Sequence, residues 1–253
     1  MATLAILSAL LDEQRGLLER LNNAHKVQRA GRAFWRGQWL GHDVVLALTK
    51  VGKVAAATTT TTLIEAFGVD RVLFTGVAGG IGPGIKVGDV VVANEFIQHD
   101  MDSTPLFARY EIPLYGCATL ACDTDLTAIL LEAVKEGLTR AKGHFHLEKP
   151  LDAQNVHTGL IASGDRFISS AADAASVLAD LQSAGFAPLA VEMEGAAVAQ
   201  VCQDYGVPFA AVRTISDRAD DQAHVDFSAF VNQVASPYAL VIVDQFMNLL
   251  YKI

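Results

Sequence analysis

Cysteine is scarce in this chain. Cys117, Cys122 and Cys202 are odd in number and lack metal-ligand spacing, which excludes a disulfide framework and fits a reducing cytoplasm. No apolar run approaches the roughly 20 residues that cross a bilayer, so no membrane partner is expected. The apolar start, residues 1–11, lacks a basic lead and an A-x-A-like cleavage site, and Asp12-Glu13 interrupts it. It reads as a first strand and not as a signal peptide. Clustered Lys and Arg are missing too, and the formal net charge is −9, so nucleic acid is not an expected partner. There is no H-E-x-x-H, no Cys-x-x-Cys and no G-x-S-x-G, which disfavours a zinc site and a serine hydrolase of the elbow type. Internal repeats and low-complexity linkers are absent.

What is present is apolar. Hydrophobic residues make up 51% of the 253 and charged residues 19%, enough to bury a sizeable core. Short apolar runs at 4–8, 44–49, 72–75, 89–95, 159–163, 189–192 and 209–215 read as strands. Several are apolar on consecutive residues, the pattern of strands covered on both faces in a mainly parallel sheet. Helical patterns fall at 13–21, 53–67, 125–136, 171–182 and 194–205. A last stretch, 227–251, should kink or restart at Pro237. This alternation predicts a three-layer α/β architecture. The least regular segment is 103–156, which carries the His144-Phe145-His146 triplet; the two histidines read as surface residues before metal ligands.

Four places could carry chemistry. Thr75-Gly76-Val77-Ala78-Gly79-Gly80-Ile81-Gly82-Pro83-Gly84 directly follows a strand, and its glycines let backbone amides approach a ligand. It fails the P-loop and dinucleotide patterns and reads equally as a tight turn. Val191-Glu192-Met193-Glu194 places two carboxylates two residues apart. In a strand they share a side, and one carboxylate can accept from both hydroxyls of a ribose. Either could instead cap the next helix. Phe209 to Asp217 is an apolar strand delivering Ser216 and Asp217 at its carboxyl end, where open parallel sheets bind ligands. Asp217 is placed for acid chemistry, or for a plain turn. Glu13 follows the first strand and passes equally as a first-turn helix acid.

Taken together, these residues resemble a known family. Ala9 to Glu13, Gly52-Lys53-Val54-Ala55-Ala56, Thr75-Gly76 with Ala78-Gly79-Gly80, and Lys86-Val87-Gly88-Asp89 occur in its order and spacing. So do His99-Asp100, Ser163-Gly164-Asp165 with Phe167-Ile168, Val191-Glu192-Met193-Glu194, and Val212-Arg213 with Ile215-Ser216-Asp217. The chain is similar nearly end to end to the bacterial 5′-methylthioadenosine/S-adenosylhomocysteine nucleosidases, within the wider purine nucleoside phosphorylase family.

The resemblance implies one nucleoside phosphorylase-like domain over residues 1–253, a three-layer sandwich with a twisted mixed sheet flanked by helices. It implies a homodimer acting on a small nucleoside, with no metal or other cofactor. Glu13 would activate the attacking water, and Asp217 would protonate N7 of the leaving adenine. Glu194 would accept from the ribose hydroxyls with Met193 packed on the sugar. Phe167 would stack on adenine while the Ile168 backbone reads its edge. Gly79 would lie near the ribose and the water, with Arg213 and Ser216 as polar supports. Val77 stands where these nucleosidases carry a serine. Met101 and Phe107 are candidates for the 5′ end, and the segments 53–67 and 105–115 for the dimer surface.

Two alternatives remain inside the family: a hydrolase of futalosine type and a purine nucleoside phosphorylase. Phosphorolysis needs cations on the phosphate. Residues 8–13 offer none, and Glu13 would repel the anion. A nucleoside-binding protein without catalysis would have no use for acids at both Glu13 and Asp217.

Overall fold

Strands that are apolar on successive residues need cover on both faces, and the fold supplies it. The computed structural model describes residues 3–141, 155–219 and 230–251. β1 (Thr3–Ser8) is buried along its length; Leu4 and Ile6 enter one core, Ala5 and Leu7 the other. It runs parallel to β4 (His42–Leu48) on one side and β5 (Arg71–Gly80) on the other. β2 (Asn22–Arg29) and β3 (Arg32–Trp39) continue the sheet past β4 as an antiparallel hairpin. Beyond β5 the sheet closes on itself. β5 pairs in parallel with β10 (Phe209–Asp217) and antiparallel with β9 (Ala190–Glu192). β6 (Val90–Gln98) joins β10 to β8 (Val156–Ser163), and β8 pairs with β9. Short β7 (Thr119–Ala121) hangs on β6.

Helices cover both faces. α1 (Lys53–Phe67) and α4 (Gly195–Tyr205) bury Ala56, Leu63, Val198 and Cys202 on one side. α2 (Thr124–Ala141) and α5 (Ser236–Leu250) bury Leu130, Val134, Ile242 and Phe246 on the other. α3 (Ala171–Ser183) packs Leu181 with Ile97 and Leu160. The result is the expected three-layer α/β sandwich around a mixed sheet. Among the described residues, no helix is long and apolar enough to cross a membrane.

The structure differs from the sequence reading at three places. Residues 13–21 form no α-helix but two 3-10 turns, Asp12–Gln14 and Leu18–Arg20. Gly16 between them has φ +83°, and a side chain there would also meet Leu240 at 3.1 Å. The hairpin β2–β3 was not anticipated. β2 is nearly all exposed, so it carries no apolar signal, and its turn is Ala30-Gly31, with φ of 45° and 68°. β5 runs through the glycine stretch to Gly80 in place of ending at 75, because β10 and β9 both pair with that stretch. The last helical stretch restarts at Pro237 as expected: a π turn, Val231–Ala235, leads into α5, with Pro237 in the first turn of α5, as a residue without an N–H allows. Residues 227–229 of that stretch, and the His144-Phe145-His146 triplet, lie outside the described residues.

Candidate active site

The parallel strands β1, β4, β5 and β10 all end at one edge, and the chain leaving each contributes to one cavity of about 510 Å³. That is the position open α/β sheets use for ligands, and the volume suits a small molecule. Leu10 and Glu13 follow β1, Val51 follows β4, Gly79 is the last residue but one of β5, and Ser216-Asp217 end β10. Glu194 at the head of α4, and Phe167 and Ile168 before α3, complete the wall.

Glu13 is 3% exposed, and its carboxylate is held by three backbone amides. Ala9 N and Leu10 N each donate to Oε2 at 2.8 Å, and Val77 N donates to Oε1 at 3.0 Å. Burial pushes its pKa up; these amides and the nearby Arg213 cation pull the other way without cancelling it. A Cβ on Gly76 would sit 2.9 Å from Glu13 Oε1, so the glycine there is a requirement of close approach. Asp217 is reached through a β-bulge. The pairing of β10 with β5 shifts between Ile215 and Asp217, which turns the Asp217 carboxyl toward Gly79. Its Oδ1 accepts from Ala219 N at 2.7 Å, and Ser216 Oγ donates to Oδ2 at 2.7 Å. A Cβ on Gly79 would lie 3.0 Å from Asp217 Oδ1.

The two glutamates divide the roles left open by their spacing. Glu192 ends β9 and is fully engaged: Gly195 N donates at 2.8 Å, Glu194 N at 3.2 Å and the Arg213 guanidinium at 2.8 Å, all to Oε2, and Ser163 Oγ donates to Oε1. It is the cap of α4 and the partner of a buried cation. Glu194 lies past the end of β9, where the chain turns, and accepts from Gly52 N at 2.7 Å. Burial, with the neighbouring Glu192 charge, pushes its carboxyl up to about 8. It is left facing the cavity as a hydrogen-bond acceptor.

Of the residues expected at the site, Glu13, Gly79, Phe167, Ile168, Met193, Glu194, Ser216 and Asp217 all line the cavity. Phe167 is 49% exposed, its ring free to be covered by a flat ligand. Arg213 is not on the wall. At 1% exposure it stacks 3.9 Å over Phe74 and ties Glu192 from behind, so any part it plays is exerted through the carboxylates. Met101 and Phe107 are half-buried and away from the wall. Reading by motif missed Leu10 and Val51, apolar loop residues that carry no chemical signal of their own. Among the described residues, no group of three His, Cys, Asp or Glu side chains is placed to hold a metal ion.

A family model described as the phosphorylase superfamily matches residues 3–248. The chain belongs to this superfamily. Its relatives include a 5′-methylthioadenosine/S-adenosylhomocysteine nucleosidase of Bacillus cytotoxicus, 35% identical over 235 residues that cover 92% of this chain and 93% of the relative. An aminodeoxyfutalosine nucleosidase of Helicobacter pylori is 34% identical over 237 residues, 93% of this chain and 94% of its own. The crystal structure of the 5′-methylthioadenosine/S-adenosylhomocysteine nucleosidase of Neisseria meningitidis, in complex with methylthio-immucillin-A, superposes with a TM-score of 0.83 at 35% identity, covering 97% of this chain and 98% of that one. The Colwellia psychrerythraea nucleosidase, in complex with adenine, gives 0.85 at 34% identity over 98% and 96%. Within a phosphorylase superfamily the charge of the wall matters, because a phosphate nucleophile needs cations. Here four carboxylates line the cavity, and Arg166, the cation among the described lining residues, is paired with Asp173.

Proposed function

We propose that the chain hydrolyses the N-glycosidic bond of 5′-methylthioadenosine and S-adenosylhomocysteine, releasing adenine and the 5-thio-ribose. The observation that carries this is Glu13: an acid buried in the cavity wall, oriented by three amides, with burial favouring its uptake of a proton. Such a group takes a proton from water and repels phosphate. In the reaction the C1′–N9 bond breaks as water oxygen bonds to C1′. The water's proton passes to Glu13, and Asp217 gives its proton to N7 so that adenine leaves neutral. Glu194 accepts from the ribose hydroxyls with Met193 against the sugar; Phe167 stacks on the base, the Ile168 backbone reads its edge, Gly79 keeps the backbone close to the sugar, and Ser216 steadies Asp217. The whole chain, 1–253, is taken as one nucleoside phosphorylase-like domain, and its three unpaired cysteines support a cytoplasmic setting.

A second reading has a specific support: the aminodeoxyfutalosine nucleosidase is as similar as the thioadenosine relative, at 34% against 35% identity. The 5′-substituent decides between them. Purified protein in phosphate-free buffer is expected to release adenine from methylthioadenosine at a rate that added phosphate does not raise. Release only after phosphate is added would reassign the chain to phosphorolysis; release from aminodeoxyfutalosine alone would select the second reading.

A homodimer goes with this function. Val54 on α1 is 78% exposed, and Leu106 and Leu114 on the 105–115 segment are 83% and 90% exposed. Large apolar side chains standing free on both expected faces support an interface there. Sedimentation at micromolar concentration should give a dimer; a monomer would reject it.

A further inference from the structure

The first turn of α1 has amides to satisfy and no cap of its own. Gly52 at the N-cap has φ +96° and offers no side chain. Two acids from distant segments fill the role: Gly52 N donates to Glu194 Oε1 at 2.7 Å, and Lys53 N donates to Asp165 Oδ1 at 2.7 Å. Lys53 then closes a ring. Its Nζ donates to Asp100 Oδ1 at 2.6 Å, and Asp100 Oδ2 accepts from Asp165 N at 2.9 Å. Gln98 Oε1 takes a further donation from Lys53 Nζ at 3.0 Å. Gly164 seals the arrangement, because a Cβ there would overlap the His99 ring, 2.2 Å from Nε2. None of Lys53, Asp100 and Asp165 lines the cavity.

We propose that the Lys53–Asp100–Asp165 ring is a positioning clasp that fixes the base-binding segment, Phe167-Ile168, at a set distance from the ribose acceptor Glu194, using the head of α1 as the bar between them. The proposal rests on the nucleosidase reading for what the two ends hold. Asp165 is two residues before Phe167, and on the far side Arg166 is tied to Asp173 of α3, so the base-binding segment has few other ways to be placed. Glu194 shares its amide donor with the same helix turn. Loosening that turn frees both ends together, and a nucleoside that must touch base site and ribose site at once then loses orientation.

The test compares Asp100→Asn, which keeps size and removes the charge, and Asp165→Ala with Arg109→Ala, which removes an exposed ion pair of 2.8 Å to Asp180 elsewhere. In both clasp variants KM for methylthioadenosine should rise roughly tenfold or more, the scale of losing a charge-assisted hydrogen bond, with kcat reduced less. The Gly52 amide favours ionised Glu194, so its loss should move the acid limb of the kcat/KM profile to higher pH. Lys53→Arg should restore more of the affinity than Lys53→Met. Hydrogen exchange should quicken in residues 50–54 and 164–168 together. Arg109→Ala should change none of these. Clasp variants with wild-type KM, acid limb and exchange would overturn the proposal, as would changes that Arg109→Ala reproduces. A wild type that releases no adenine would instead remove the nucleosidase reading, and the paired exchange response would then decide the clasp by itself.

Discussion

Asp217→Asn is expected to lower kcat for adenine release by about 10²–10⁴-fold, or about 3–5 kcal/mol of barrier, with little change in melting temperature. Adenine is a poor leaving group as an anion, so a proton delivered to N7 is worth the full effect of a positioned acid. Asparagine keeps the local geometry. Its Oδ1 can accept from Ala219 N as the carboxyl does at 2.7 Å, and its amide can donate to the Ser216 oxygen where Oδ2 stood. The bulge that aims the side chain belongs to the β10–β5 pairing and does not depend on the charge. Cavity and fold therefore persist while the transferable proton is gone. Turnover followed by adenine release, alongside thermal melting and calorimetry with a nucleoside ligand, separates these effects. Near-wild-type kcat in the variant would remove Asp217 from the acid role.

Most of the sheet was legible because burial on both faces leaves a local mark, a run of successive apolar residues, as in β1 and β10. Elements without that mark were not. β2 is solvated and its pairing rests on a two-residue turn, and the region around Glu13 looks helical only if Gly16 is ignored. The site was legible as residue types and less so as roles. Glu192 and Glu194 are indistinguishable two apart in sequence. The distinction comes from Arg213, 21 residues beyond Glu192, which pins it, and from the turn at Met193, which sends Glu194 to the cavity. The same distance hid the clasp. Lys53, Asp100 and Asp165 each stood in a recognised motif, but the bond between Lys53 N and Asp165 spans 112 residues and no periodicity encodes it.

Glu13→Gln is the sharper test of the nucleophile, and hydrolysis is expected to fall by a similar 10²-fold or more while ligand binding is kept. Binding should be kept because the proposed contacts to base and ribose fall to Phe167, Ile168 and Glu194, whereas the Glu13 carboxylate is bonded to the amides of Ala9, Leu10 and Val77. The amide oxygen of glutamine can face Ala9 N and Leu10 N, but its NH₂ then meets the Val77 N–H, donor against donor. One unsatisfied buried amide costs about 1–3 kcal/mol. Removing a buried, poorly solvated carboxylate acts in the opposite sense. The sign follows from the raised pKa of Glu13: the folded protein holds that proton more tightly than the unfolded chain, whose ordinary value is near 4.5. The contribution of this group to stability is thus full below 4.5 and is lost as pH rises through the folded value. Glutamine does not titrate, so denaturant unfolding should show a wild type that weakens relative to the variant over that interval. In the same interval the wild-type rate should climb, since water activation needs the ionised form. Glu13→Gln removes the Glu13 repulsion of phosphate without supplying a cation, so no phosphorolysis should appear when phosphate is added. Calorimetry showing lost binding, or a variant that hydrolyses at the wild-type rate, would place the base elsewhere in the cavity.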